Sequence, residues 1–326
     1  MRPEEIIHKT VIISPLDWGL GHAARCIPII RQLKAQECKV IFAGVQLQID
    51  LIHKDFPDLI VELIPGYDIE LDSQSSTYWQ MLVQFKSMKR RTKQEHVMAN
   101  ELVHKYDADI VISDNRYGFY SADALNIFIT HQLNPQIPVF RKSVKRMIEN
   151  YIAHFNHLWI PDNPENPICG NLLDAEIAIP VHYIGYLSRF EKREVPLAYD
   201  ILVIVSGPEP ERSRFQELVT DILRSEDWKY RVVTPNKSEE DWVVTNPSTE
   251  ELEQLINASN LIVSRAGYTT IMEFLSLGKS AILIPTDGQY EQIYLAEHIQ
   301  MPNLKFIKEQ DLKEELLNSY PIKNLG

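Results

Sequence analysis

Short apolar runs alternate along this 326-residue chain with longer stretches in which apolar residues recur at helical spacing. The first series of runs predicts strands at 11–13, 40–42, 60–63, 110–113, 127–130 and 158–160. The second series predicts strands at 200–207, 230–234, 242–245, 261–267 and 281–286. Strands that alternate with helices form parallel sheets with helices on both faces. The chain is therefore predicted to be α/β, with two doubly wound, Rossmann-like domains.

The boundary between the two domains is expected where charge and proline interrupt the apolar pattern, in segment 181–200. We place it between residues 185 and 186, which gives domains of 1–185 and 186–326. A chain of this length ordinarily forms two domains. Ligands of open α/β sheets bind beyond the carboxyl ends of the strands, so we expect the domains to face each other across a cleft lined by those loops.

Composition excludes several classes of protein. The net charge of −12 argues against a nucleic-acid partner. No apolar run approaches the ~18 residues of a spanning helix, and the acidic residues near the N-terminus do not fit a signal peptide. Cys26, Cys38 and Cys169 form no Cys-x-x-Cys motif, which is typical of inert thiols in a reducing cytoplasm.

Two clusters of basic residues lie in the first domain, at 86–93 and 141–146, each interleaved with apolar residues. Basic amphipathic segments can lie on an anionic bilayer surface. The alternative interpretation is a solvated helix face. The clusters consist of Lys86, Lys89, Arg90, Arg91 and Lys93, and of Arg141, Lys142, Lys145 and Arg146.

The segment Trp18–Cys26, "WGLGHAARC", follows the first predicted strand and opens a helix. Glycine permits positive φ and lets a ligand approach the backbone. The helix start adds N–H groups and the positive end of a dipole. His22 lies where these features meet, so it is either a functional group or a histidine that only caps the helix or packs under the loop.

Polar residues also follow other predicted strands. In the first domain they are Asp114 and Asn115 after strand 110–113, and His131 after strand 127–130. In the second domain, segment 261–298 predicts a strand, an Arg-x-Gly turn, a helix ended by Gly278, another strand and a polar loop. Glu273, near the start of that helix, has the chemistry to accept two hydrogen bonds from a vicinal diol such as a ribose presents. The alternative is that Glu273 is solvated and only caps the helix.

This segment resembles the donor-binding region of GT-B glycosyltransferases. It is most similar to the MurG-like family, the UDP-N-acetylglucosaminyltransferases that make peptidoglycan lipid II. The residues that match the pattern Arg-x-Gly-x-x-Thr-x-x-Glu and its acidic-Gln pair are Arg265, Gly267, Thr270, Glu273, Glu291 and Gln292. The "GLGHAAR" loop is also similar to one found in relatives of the family. Glu291 replaces the usual Asp, and Lys279-Ser280 replaces a small residue followed by Pro.

The resemblance implies a transfer from a nucleotide-sugar, expected to be a UDP-sugar, to an acceptor hydroxyl, without a metal or other cofactor. It implies that His22 is the general base and that Asp114 orients it. The donor would be bound by Arg189, Ser206, Gly207, Arg265, Gly267, Thr270, Glu273, Gln289, Glu291 and Gln292. The acceptor, lipid-linked or a glycan, would be bound by Gly19, Gly21, Arg25, Asn115 and His131. Domain 1–185 would then bind the acceptor and domain 186–326 the donor.

Three alternatives stay open. The same histidine loop occurs in a UDP-sugar hydrolase, in which water is the acceptor. Epimerases that act on UDP-N-acetylglucosamine share the fold. A non-catalytic sugar-nucleotide binder is the third, and the presence of His22 and Asp114 argues against it. The expected location is the cytoplasm, with the possibility of peripheral binding to the inner face of the membrane.

Overall fold

The computed structural model describes residues 1–66, 77–207 and 209–319, with the backbone alone over 77–88. The chain divides into two compact units, Met1–Leu187 and Ser188–Gly326, which we call unit 1 and unit 2. The boundary expected after residue 185 lies close to this division.

Unit 1 contains a parallel sheet. Its strands are β1 (Thr10–Pro15), β2 (Lys39–Gly44), β3 (Ile60–Leu63), β4 (Ile110–Asp114), β5 (Leu125–Ile129), β6 (His157–Ile160) and β7 (Val181–Tyr183). Its helices are α1 (Gly21–Ala35), α2 (Gln46–Asp55), α3 (Thr77–Tyr106) and α4 (Arg141–Ile152). The strands pair in the order β3-β2-β1-β4-β5-β6-β7. The central strands are buried throughout because helices cover both faces, which explains their continuous apolar sequences.

Unit 2 contains a second parallel sheet. Its strands are β8 (Tyr199–Ile204), β9 (Tyr230–Thr234), β10 (Val243–Thr245), β11 (Ser259–Arg265), β12 (Ser280–Ile284) and β13 (Leu304–Phe306). Its helices are α5 (Glu211–Arg224), α6 (Thr249–Asn257), α7 (Tyr268–Leu277), α8 (Tyr290–His298) and α9 (Leu312–Ser319). The strands pair in the order β10-β9-β8-β11-β12-β13. The predicted fold class, two α/β domains with doubly wound parallel sheets, is confirmed.

Side-chain packing and helix ends explain these elements locally. In unit 2, Val203, Val232 and Val263 of neighbouring strands pack against Phe215 of α5 in one apolar cluster. The predicted end of α7 at Gly278 is confirmed, because this residue has the left-handed φ of +64° that glycine favours.

Two edge strands were not predicted. β7 lies at the start of the segment expected to join the domains, and β13 follows α8. Each has only three residues and pairs on one side alone, with β6 and β12 respectively. Such short strands depend on the neighbour that they pair with, so their sequences carry little signal of their own.

The strand order places one crevice in each sheet. From β1 the chain moves outward to β2 and β3 and then returns to the other side of β1 as β4. In unit 2 the same reversal brings β11 beside β8. Ligands of open α/β sheets bind beyond the carboxyl ends of the strands at such a reversal. The loops after β1 and β4, and those after β8 and β11, are therefore the places to look for function.

Candidate active site

The loop after β1 brings the predicted histidine to the reversal in unit 1. Gly19 has a φ of +71°, which lets the chain turn sharply, and α1 begins at Gly21. His22 is the next residue of α1. Pro15, at the end of β1, pairs with Asp114, at the end of β4, so the two loops start side by side.

His22 and Asp114 are in contact. The Nδ1 atom of His22 lies 3.2 Å from both carboxylate oxygens of Asp114. The Asp114 side chain is fully buried, whereas the His22 side chain keeps 15% of its surface exposed. A buried carboxylate that holds one ring nitrogen of a partly exposed histidine is the arrangement that orients a general base.

Arg25 lies on the same helix face and joins the pair. Its Nε donates to Asp114 Oδ2 at 2.6 Å, and its Nη2 makes a second, short contact with Oδ1. Its Nη1 lies 3.1 Å from Nδ1 of His131, at the end of β5. Arg25 and His131 were predicted to bind the acceptor. The structure buries both and turns Arg25 onto the carboxylate, because a buried Asp114 needs a cation. Their role toward an acceptor stays a prediction.

These contacts set the charges of the site. Burial lowers the pKa of His22, the positive charge of Arg25 lowers it further, and Asp114 opposes both effects. Burial alone would raise the pKa of Asp114, but Arg25 and His22 outweigh it and hold that pKa well below its usual range. At neutral pH the site therefore contains a neutral imidazole beside an ionised carboxylate, which is the state that a base requires.

The Nδ1 atom of His22 faces two neighbours that favour opposite tautomers. It lies 3.2 Å from the Asp114 carboxylate, which can only accept, and 2.9 Å from Nη2 of Arg25, which can only donate. A proton on Nδ1 would be donated to Asp114 and would leave the lone pair on Nε2, whereas a proton on Nε2 would leave Nδ1 to accept from Arg25. A general base at Nε2 requires the first tautomer, and the described residues provide no hydrogen-bond partner for that nitrogen.

Asn115 directly follows the buried carboxylate. Its φ is +58°, in the left-handed region that asparagine tolerates better than most residues. Its side-chain Oδ1 is buried and accepts no hydrogen bond from the described residues. A buried amide oxygen without a donor is costly, so Asn115 stays a candidate for contact with a ligand hydroxyl or N–H group.

The reversal in unit 2 presents mainly backbone. Ser206 and Gly207 follow β8 and are exposed, and Gly207 has a φ of +103°. Gly267 is the N-cap of α7, in an extended conformation, and Thr270 lies in the first turn of that helix. A helix start beside a glycine loop is suited to an anion such as a diphosphate.

Glu273 differs from its prediction. It was expected near the start of its helix, with a solvated capping role as the alternative, but it lies in the second turn of α7 and is buried. Its Oε1 lies 3.0 Å from Nε of Arg189, just after the division between the units. Burial raises the pKa of Glu273 and the charge of Arg189 opposes that shift. The two predicted donor residues are therefore brought together as an ion pair.

Arg265, also predicted to contact the donor, is engaged elsewhere. Its Nη2 lies 2.8 Å from Glu309 Oε2, and its guanidinium stacks over the ring of Phe215 at 4.2 Å. The side chain is nearly fully buried. The sequence pattern marked the position of Arg265 at the strand end but contained no sign of Glu309, which comes 44 residues later in the chain.

The polar loop after β12 orders its own side chains. Gln292 accepts from the Thr286 N–H at 2.8 Å and donates to Oε1 of Gln289 at 3.2 Å. Gln289 is the exposed N-cap of α8, and Glu291 lies in the first turn of that helix. The three predicted donor-sugar residues thus lie together at one helix start, and their role stays a prediction.

One buried charge of unit 1, beside the His22–Asp114 pair, was not predicted from the sequence. Arg116 follows Asn115 in the loop after β4 and is buried against Glu95 of α3. The sequence signal for Arg116 was its position in a loop that follows a predicted strand. The sequence did not indicate the partner of Arg116, because Glu95 lies on a different element.

The described residues contain no group of three or more His, Cys, Asp or Glu side chains placed to hold a metal. Among the same residues, no helix is both long enough and apolar enough to cross a bilayer. Independence from metals stays a prediction.

Residues 207–320, all of them in unit 2, match the family model "Glycosyltransferase family 28 C-terminal domain". The folds of solved glycosyltransferases match both units. Arabidopsis thaliana UGT89C1, complexed with UDP-L-rhamnose, superposes with a TM-score of 0.65 at 10% identity, covering 96% of this chain and 90% of that one. The protein is a glycosyltransferase of the GT-B fold.

The resemblance to the MurG-like family is confirmed as well. A transferase of Clostridioides difficile, named UDP-N-acetylglucosamine--N-acetylmuramyl-(pentapeptide) pyrophosphoryl-undecaprenol N-acetylglucosamine transferase, is 23% identical over 342 residues. The alignment covers 94% of this chain and 79% of that relative. MurG of Acinetobacter baumannii superposes with a TM-score of 0.51 at 13% identity, covering 95% of this chain and 89% of that one.

Proposed function

We propose that this glycosyltransferase moves a sugar from a UDP-sugar to an acceptor hydroxyl, with His22 as the general base. The observation that carries the proposal is the contact between partly exposed His22 and buried Asp114 at the carboxyl ends of β1 and β4. UDP is preferred as the nucleotide because the relatives of this chain are named for UDP-N-acetylglucosamine.

The proposed chemistry is a single displacement balanced by one proton transfer. The acceptor oxygen bonds to the anomeric carbon of the donor, and the bond from that carbon to the diphosphate breaks. The nucleoside diphosphate leaves with the electron pair, while the acceptor proton passes to Nε2 of His22. Asp114 stabilises the imidazolium that forms, as a buried carboxylate does in a hydrolase triad. Arg25 keeps Asp114 ionised throughout.

The donor is proposed to bind in unit 2. The start of α7 and the Ser206–Gly207 turn offer backbone N–H groups to the diphosphate. Glu273 would accept hydrogen bonds from the ribose. Since Glu273 pairs with Arg189 in the structure, ribose must share this carboxylate with the arginine or displace it.

A lipid-linked acceptor is proposed because the name of the Clostridioides difficile relative includes pyrophosphoryl-undecaprenol. Unit 1 offers a surface suited to an anionic bilayer at the start of α4. Val139 and Phe140 are 44% and 50% exposed there, and Lys142 and Arg146 are exposed on the following helix. Of the predicted basic cluster 86–93, Lys86 lies outside the described side chains.

Vesicle sedimentation tests this surface, with phosphatidylcholine alone and with phosphatidylglycerol added. Each cation near such a surface contributes about 1 kcal/mol. The double change Lys142→Glu and Arg146→Glu should therefore weaken binding to the anionic vesicles at least tenfold. Lys229→Glu with Lys237→Glu, two exposed cations of unit 2, is the matched control. Equal pelleting of both double variants would refute the proposal that the surface at the start of α4 binds the anionic vesicles.

The activity is tested by a thermal-shift screen with UDP, GDP, dTDP and CMP, followed by turnover of sugars linked to the best nucleotide. A ligand at 100 times its Kd stabilises a protein by about 2.7 kcal/mol. Stabilisation by UDP and transfer to an added acceptor would support the proposal. Release of free sugar without an acceptor would indicate a hydrolase, interconversion of the donor an epimerase, and binding without turnover a sugar-nucleotide binder.

A further inference from the structure

A buried chain of charges lies beneath the loop that carries His22. Arg116, in the loop after β4, is 1% exposed, and its Nη1 donates to Glu95 Oε1 at 3.0 Å. Glu95, on α3, is also buried. On its other side, Arg116 Nη2 lies 3.8 Å from Oδ1 of Asp17, which belongs to the glycine loop. These charges thus link α3 to the loop after β1.

Arg116 also holds the backbone at the ends of both strands. Its Nε donates to the carbonyl of Pro15, the last residue of β1, at 2.7 Å. Its own carbonyl accepts from Ser113 Oγ of β4 at 2.6 Å. The guanidinium can hold Pro15 and Glu95 together because its donors are fixed in a planar fork. The side chain of Arg116 therefore ties the strand end that leads to His22 to α3, while its backbone carbonyl is held to β4 beside Asp114.

The loop that bears Arg116 is fixed in turn against α3. The Gly118 N–H donates to the second oxygen of Glu95 at 3.0 Å. A Cβ on Gly118 would lie only 2.1 Å from the carbonyl oxygen of Thr92 on α3. Such a close approach requires glycine. Together, the hydrogen bond to Glu95 and this close packing leave the segment from Asp114 to Gly118 little freedom to move relative to α3.

We infer that Arg116, held by Glu95, is a positioning residue that keeps His22 and Asp114 in register for proton transfer. This inference rests on the proposed function, since it assigns Arg116 a task only if His22 is the base. Its effect would be on turnover, because the donor is proposed to bind in unit 2. A misplacement of about 1 Å at a reacting group can cost roughly 100-fold in rate.

Arg116→Lys tests the inference while it keeps the charge beside Glu95. A lysine cannot reproduce the fork that spans Pro15, Glu95 and Asp17. We expect kcat to fall about 10- to 100-fold with the KM of the UDP-sugar nearly unchanged. Because Asp114 raises the pKa of His22, a loosened pair should also move the acid limb of the kcat/KM profile to lower pH. A purely structural role would lower the melting temperature and leave that limb in place.

Two further variants keep the test decisive. Asp17→Asn removes the negative charge at the longer, 3.8 Å contact and keeps the size of a partly exposed side chain, so it covers the case in which Arg116→Lys fails to fold. We expect a smaller loss of kcat and the same direction of pH shift. Arg193→Lys is the matched control, since Arg193 pairs with the buried Glu253 in unit 2 at 2.7 Å. It should leave kcat unchanged.

The outcomes separate the inference from the proposed function. If His22→Ala loses turnover while Arg116→Lys and Asp17→Asn keep wild-type kcat and pH profile, the positioning role is wrong and the base assignment stands. If His22→Ala keeps its turnover, the proposed function itself is wrong. Equal losses in Arg116→Lys and Arg193→Lys would indicate general loosening of the fold and would also overturn the positioning role.

Discussion

The crevices of unit 1 and unit 2 lie at the same topological position in their sheets, yet they hold different chemistry. In unit 1, Asp114 and Arg25 are buried around His22, the one side chain of the three that is partly exposed. In unit 2, two arginines of the predicted site are engaged in ion pairs, Arg189 with the buried Glu273 and Arg265 with the partly exposed Glu309. What unit 2 exposes is the Ser206–Gly207 turn and the polar loop before α8.

This difference suggests a division of labour. Moving a proton needs a group whose protonation state is fixed by buried neighbours, which unit 1 provides. Binding a nucleoside diphosphate needs N–H donors and a carboxylate for the ribose, and we propose that unit 2 provides them.

The largest effect is expected for His22→Ala. Loss of a general base ordinarily costs 10²- to 10⁴-fold in rate. Turnover of a UDP-sugar with its acceptor should fall by about that factor, and Asp114→Asn should lose less, because it disturbs the orientation of the base but keeps it. His104→Ala, at an exposed histidine paired with Asp123 on the surface of unit 1, is the control. Wild-type turnover in His22→Ala would leave the histidine as a loop residue only.

Arg25→Met tests whether the buried ion pair is structural. It leaves the Asp114 carboxylate buried beside no guanidinium, which typically costs about 3–5 kcal/mol of unfolding free energy. Urea titration measures this loss. The double variant Arg25→Met with Asp114→Asn should recover part of it, since the uncompensated charge is gone. A single variant as stable as the wild type would show that Arg25 is not needed to hold Asp114.

Glu273→Gln tests the donor site in unit 2. Loss of a charge-assisted hydrogen bond costs about 1.5–3 kcal/mol, so the UDP affinity should fall roughly 10- to 150-fold. Glutamine keeps the shape of the buried side chain, and circular dichroism checks the fold. Calorimetric titration of UDP gives the affinity. An unchanged Kd would remove the ribose role and leave Glu273 as the partner of Arg189.

The pH dependence of kcat/KM tests the charge state of unit 1. Burial and Arg25 lower the pKa of His22 below its ordinary value of 6.5. A base acts when it is unprotonated, so the rate should hold through neutral pH and fall only as the pH drops below 6.5. Asp114→Asn removes the charge that raises this pKa, so its acid limb should lie lower still. An acid limb above 6.5 in the wild type would contradict the assignment.

The two regions also differ in how far their sequences predict them. In unit 1 the pattern around Gly19 predicted the strand, loop and helix that carry His22, and the family resemblance implied Asp114 as its partner. The two residues lie side by side because both follow buried strands whose register the parallel sheet fixes. In unit 2 the motif residues were found at the predicted strand ends. Their partners were not, since Glu309 lies on a distant segment and burial of Glu273 depends on packing between elements.

The same reason explains which contacts in unit 1 the sequence did not predict. Arg25 has the spacing of a residue that faces the loop, and no local pattern shows that its guanidinium turns inward to Asp114. Glu95 and Arg116 are each unremarkable in sequence and acquire a role only when α3 packs against the loop after β4. Local patterns predict the position of a charge, whereas its partner is decided by tertiary contacts.

The division of labour is tested most directly by the UDP affinity of His22→Ala, measured by calorimetric titration on the preparation used for turnover. Histidine in unit 1 should contribute nothing to nucleotide binding, so the Kd for UDP should stay within about twofold of the wild type, which is less than 0.5 kcal/mol. A Kd weakened as strongly as in Glu273→Gln would show that His22 binds the donor, and the assignment of proton transfer to unit 1 and nucleotide binding to unit 2 would be wrong.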